Sequence, residues 1–113
     1  MNTDGHLAAA EELRVSMAAL QPSGDHIRLY AEAGVGRGFH ILCVGAQRRF
    51  QVHREQHEGL VRWLRERDEG AIADIFLELE SIRTGRWYGR QGNGDIAERV
   101  DQLLQQIAAW ALA

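Results

Sequence analysis

Apolar residues recur at three- and four-residue spacing in four stretches of this chain and at two-residue spacing in one. That change of period constrains the fold more than any other feature of the sequence. The first helical stretch covers residues 5–20, where Leu7, Ala10, Leu13, Met17 and Leu20 share a stripe and Glu11, Glu12 and Ser16 lie elsewhere around the wheel. Thr3 or Asp4 is placed to cap it, and Pro22, Ser23 and Gly24 to end it.

From Ile27 the period is two. Ile27, Leu29 and Ala31 alternate with Arg28, Tyr30 and Glu32; after Gly34-Val35-Gly36-Arg37-Gly38, Phe39, Ile41 and Cys43 alternate with His40, Leu42 and Val44. Gly45-Ala46-Gln47 reads as a second turn, and Phe50 and Val52 then alternate with Arg49, Gln51 and His53. The pattern predicts a three-stranded antiparallel β-meander over about residues 26–53.

Helical spacing returns from about residue 54, with one stripe of Leu60, Trp63 and Leu64, and a cleaner one of Ile72, Ile75, Phe76, Leu79 and Ile82 after a break at Asp68-Glu69-Gly70. Thr84–Gly94 contains four glycines and reads as a loop. Asp95, with Glu98 as its capping-box partner, opens a last helix carrying Ile96, Val100, Leu103, Leu104, Ile107 and Trp110 on one side. The expected architecture is therefore α+β, in the order α-βββ-α-α-α, with four helices and the meander in two layers of one domain spanning residues 1–113.

Composition narrows the function. At 45% hydrophobic and 26% charged residues with one proline, the chain is not disordered or low-complexity. No apolar run approaches the ~18 residues of a membrane span, so no membrane partner is expected. The acidic N-terminal stretch does not resemble a signal peptide, and the single cysteine fits a reducing, cytoplasmic setting. All 13 basic residues are arginine, which reads as GC-rich, bacterial coding bias; every side-chain cation other than histidine is a planar fork suited to carboxylates, phosphates and aromatic faces.

Catalytic and metal motifs are poorly supported. In His53-Arg54-Glu55-Gln56-His57 the Glu lies one place too late for a zincin, so no metal and no cofactor are expected. The Gly34–Gly38 run lacks the strand–loop–helix setting of a nucleotide loop and reads as a hairpin tip presenting Arg37. Cys43 has no base on its own strand face, and the serines sit in no nucleophile elbow, so no catalytic residue is assigned.

Binding is better supported. Arg86, Trp87, Tyr88 and Arg90 lie in the glycine-rich loop and, with Arg37, form the expected partner-binding surface. A second surface is the outer sheet face, with Arg28, Tyr30, His40, Arg49 and His53. The chain reads as a small non-enzymatic adapter for a protein partner. A nucleic-acid-binding module is the alternative, opposed by the net charge of −3, and a small acidic inhibitor of a nucleic-acid-binding protein is a third reading. Leu42 and Val44 on the outer face, with Trp110 and Leu112, point to a homodimer.

Overall fold

The structure is a computed structural model that describes residues 1–20, 26–85 and 93–113. Among the described residues it holds five helices and no strand: α1 (Thr3–Ala19), α2 (His26–Phe50), α3 (Leu60–Arg65), α4 (Gly70–Arg83) and α5 (Asn93–Leu112). The expected α+β fold is thus corrected to an all-helical one. The whole stretch assigned to the meander, except its last residues, is the single 25-residue helix α2. At ~1.5 Å per residue such a helix is about 37 Å long, close to the 40 Å long axis of the molecule.

The glycines account for the misreading. Gly34, Gly36, Gly38 and Gly45 stand where tight turns were expected, yet none has positive φ; the only glycines that do, among the described residues, are Gly59 and Gly85. Three of the four are packing positions. A Cβ on Gly34 would lie 2.8 Å from Val100 Cγ1, one on Gly38 would lie 2.9 Å from Leu79 Cδ2, and one on Gly45 would overlap the Trp110 ring. Glycine costs a helix interior about 1 kcal/mol relative to alanine. Here close approach of α4 and α5 to the α2 backbone offsets that cost.

With the glycines counted as interior residues, α2 has helical period: Ile27, Ala31, Gly34, Val35, Gly38, Ile41, Leu42 and Gly45 are all buried. Between Ile41 and Ala46 every residue is buried, so the helix is enclosed on all sides there. Ile41 and Cys43 from one alternating set of the presumed strand, and Leu42 and Val44 from the other, belong to that enclosed stretch. Leu42 and Val44, expected on an outer sheet face, are 0% and 1% exposed, and the argument they supplied for a homodimer disappears with the sheet.

Helices α4 and α5 keep most of their expected faces, whereas Leu7 of the stripe expected in α1 is exposed. In α5, Ile96, Val100, Leu103, Leu104 and Ile107 are buried, and in α4 so are Ile72, Phe76, Leu79 and Ile82. Helix α5 starts at Asn93, which puts Asp95 in its first turn rather than at its cap. Helix α1 is capped by Asn2, whose side chain accepts from Gly5 N–H at 2.8 Å, and not by Thr3 or Asp4. Pro22, Ser23 and Gly24 lie outside the described residues. Two polar ties brace the bundle: Tyr30 donates to Asp101 at 2.5 Å between α2 and α5, and Arg99 donates to both Glu78 oxygens at 2.5 and 2.7 Å between α5 and α4. Burial and the Asp101 bond together push the Tyr30 phenol up to about 12.

Candidate partner-binding surface

Arginines and aromatic rings gather at the end of the bundle where α2 stops. The stop itself comes from Gln51, which takes a left-handed conformation at φ 54° and donates to Gln47 O at 3.0 Å. The chain then turns back: Val52 N–H reaches Ala46 O at 3.5 Å. Residues 51–57 form no regular element, so His53 ends no strand and the helix expected from about residue 54 begins only at Leu60, after the left-handed Gly59.

Helix α3 buries Leu60 and Leu64 and leaves Trp63 half-buried between them. The Arg67 guanidinium lies 4.0 Å from the Trp63 ring centroid and that of Arg54 lies 5.2 Å from it, while Phe50 meets the ring edge-on at 5.6 Å. Arg67 also donates to Trp63 O at 3.2 Å, and Arg54 to Gln56 O and Glu58 O at 3.3 and 3.1 Å. Each cation is thereby held against the ring by a separate backbone contact. A cation over an indole face is attracted by the ring quadrupole, by ~0.5–1 kcal/mol at an exposed site.

Asp68, at φ 60°, turns the chain from α3 into α4 and brings Glu69 under Trp110. Trp110 Nε1 donates to Glu69 at 2.8 Å, and the Arg49 guanidinium lies 4.7 Å from the Trp110 ring. Arg49 also donates twice to Trp110 O, at 3.1 and 2.7 Å, and Arg48 donates to Ala113 O at 3.4 Å. Both arginines therefore meet the free carbonyls at the end of α5, where positive charge is favoured. Next to this surface, Arg62, Arg65 and Arg83 line an open groove of about 610 Å³ with His57, Glu58 and Glu80.

A second cluster lies between α1, α2 and the returning segment, where four of the five histidines meet. His6 Nδ1 is 2.9 Å from His40 Nδ1, and the His53 ring centroid is 6.1 Å from that of His6. Phe39 lies edge-on to His40 and stacks on His57, which reaches Glu80 at 3.2 Å and so connects the cluster to the groove. Among the described residues, His, Cys, Asp and Glu form no group of three able to hold a metal ion. Cys43 is buried, which pushes its thiol up to about 11. Ser16 and Ser81 turn their hydroxyls onto their own helices, at Glu12 O and Leu77 O.

The sequence-predicted residues fare unevenly. Arg86, Trp87, Tyr88 and Arg90 lie outside the described residues. Arg37 is not at a hairpin tip; it sits half-buried in mid-α2 and lines a 330 Å³ groove with Arg14, Tyr30 and Asp101. The five residues of the presumed outer sheet face do not form one surface, although His40 and His53 both border His6. Arg28 is exposed on the first turns of α2, Tyr30 bonds to α5, His40 joins the histidine cluster, Arg49 joins Trp110, and His53 bonds Glu55 at 3.2 Å. The Trp63 patch is absent from the sequence reading. One signal was available: Trp63 and Arg67 stand four apart, the spacing that brings side chains together on a helix. Among the described residues, no helix is long and apolar enough to cross a membrane. Comparison with known proteins returns no match to any family model, curated protein or solved structure.

Proposed function

We propose that this chain is a protein-interaction module that docks a partner through the arginine–aromatic end of the bundle. One observation carries the reading: half-buried Trp63, with two guanidiniums within 4.0 and 5.2 Å of its ring centroid and Phe50 at its edge. Tryptophan and arginine dominate the binding energy of protein interfaces, most of all where packing holds them in place before the partner arrives. The Arg86-Trp87-Tyr88 stretch and Arg90 have the same chemistry and stay a candidate second contact.

The test is affinity capture from the native host after nuclease treatment, with two double variants compared. Arg54→Ala/Arg67→Ala is expected to keep the fold and to weaken binding of the captured protein by ~1–3 kcal/mol, the range for hydrogen bonds from charged groups. Arg86→Ala/Arg90→Ala reports on the second contact alone. Capture unaffected by the Arg54/Arg67 change would contradict the reading. Retention that vanishes on nuclease treatment would favour the nucleic-acid alternative.

A further inference from the structure

We propose that His6 and His40 form an acid-sensitive latch that holds α1 on α2, so that protonation releases α1 while the rest of the bundle stays folded. His6 is 3% exposed in the first turns of α1. Its Nδ1 lies 2.9 Å from His40 Nδ1, a distance at which two imidazoles share one proton, one ring donating and the other accepting. A second proton on this contact sets N–H against N–H. The other ring nitrogen of His6, Nε2, is buried without a hydrogen-bond partner. A charged imidazole has two donors to satisfy; once both rings are charged Nδ1 has no acceptor at this contact, and the Arg54 backbone carbonyl is the one acceptor near His6.

The surroundings oppose the charge as well. From the returning segment, the His53 ring faces His6 at 6.1 Å, and the Met1 ammonium adds positive charge that opposes a charged His6. Glu55 is the carboxylate nearest to them, and it is already engaged with Met1 and His53. From α2 come His40 and the neutral ring of Phe39. The Arg54 backbone carbonyl is the one neighbour that favours a charged His6. Burial first, then His40, depress the affinity of His6 for a proton, and burial depresses that of His40. Groups that bind protons less tightly folded than unfolded make stability fall as pH drops. The loss begins near the free-histidine value of about 6.5 and grows until pH reaches the lowered folded values.

Helix α1 is the element that such a loss would free. Its buried apolar anchors are Ala10 and Met17, while Leu7 and Val15 are exposed. Arg14 spends its guanidinium on Glu11 of the same helix. By contrast, α2, α4 and α5 are joined by the glycine contacts and the Tyr30–Asp101 and Arg99–Glu78 bonds. Helix α1 packs on α2 alone among the described helices, so it can part from the bundle at one interface while the others stay closed.

Hydrogen exchange on the whole chain tests this, expressed as protection factors so that the intrinsic pH dependence of exchange cancels. The expected result is that protection over Ala10–Ala18 falls about tenfold per pH unit below ~6.5 for each proton taken up, while α5 stays protected. A His6→Gln/His40→Gln variant, which keeps hydrogen-bonding groups but no titration, is expected to remove that pH response. Equal loss in α1 and α5, no loss in α1, or a pH response retained by the variant would each overturn the latch. Should the variant fail to fold, direct NMR titration of the two imidazoles in the unaltered chain decides: both must titrate below the free value, and either one at or above it overturns the proposal.

Discussion

Replacing Gly38 with leucine is expected to destabilise the fold by ~3 kcal/mol, the upper part of the usual range for overpacking a core. Even a Cβ at this position would lie 2.9 Å from Leu79 Cδ2, 3.3 Å from Ile107 Cδ1 and 3.5 Å from Leu104 Cδ2. Those three side chains come from α4 and α5, and all are buried. Leucine adds three further carbons to that space. The better helix propensity of leucine, worth under ~1 kcal/mol, does not offset the crowding. Gly36 supplies the contrast, since a Cβ there meets only half-buried Leu13, at 3.1 Å. Gly36→Ala is therefore expected to be neutral or to stabilise by up to ~1 kcal/mol. In a hairpin tip both glycines would be needed for their backbone freedom, and both changes would destabilise. Urea denaturation of the two variants separates these outcomes.

Phe76→Ala is expected to have the largest effect of any single truncation here, ~3–5 kcal/mol. Phe76 is fully buried in α4, and its ring also supports His57 from a centroid distance of 5.3 Å. A domain of this size has ~5–15 kcal/mol of stability in total, so the variant would be close to unfolding at room temperature. It would also remove one of the two rings that hold His57 at the groove, the other being Phe39. A cost below ~1 kcal/mol, measured by urea or thermal unfolding, would mean that α4 does not face the core as described.

The parts of this fold legible in the sequence are those where one face is apolar and the other is wet. Helix α5 shows its stripe from Ile96 to Ile107 because Glu98, Asp101 and Gln105 mark the opposite face. Helix α4 reads equally well. Helix α2 hides its period because its middle has no wet face: Ile41 to Ala46 are all buried, so polar residues cannot mark a side. A continuous apolar run of that length fits a buried helix and a buried strand alike. Glycine then tilts the reading to turns. Its tertiary role, letting α4 and α5 approach the α2 backbone, depends on residues such as Leu79 and Val100 that are far away in sequence.

The candidate surface was illegible for a related reason. Trp63, Arg54 and Phe50 meet because α2 stops at Gln51 and the chain doubles back. A reading that placed His53 on a strand separated those residues. The histidine cluster was lost in the same way, since His40 was assigned to a sheet face that does not exist. His6 lies off the apolar stripe expected for the first helix, and only the tertiary structure brings it, 3% exposed, against His40.

The continuity of α2 is the central claim, because the core, the arginine–aromatic end and the histidine pair are all arranged around it. Backbone NMR assignment of Ile27–Arg49 tests it most directly. Helical Cα secondary shifts without interruption through Gly34, Gly36, Gly38 and Gly45, with sequential amide–amide contacts along the whole stretch, are the expected result. Strand-type shifts on either side of Gly34–Gly38, with cross-strand contacts between the Ile27–Ala31 and Phe39–Cys43 segments, would contradict it.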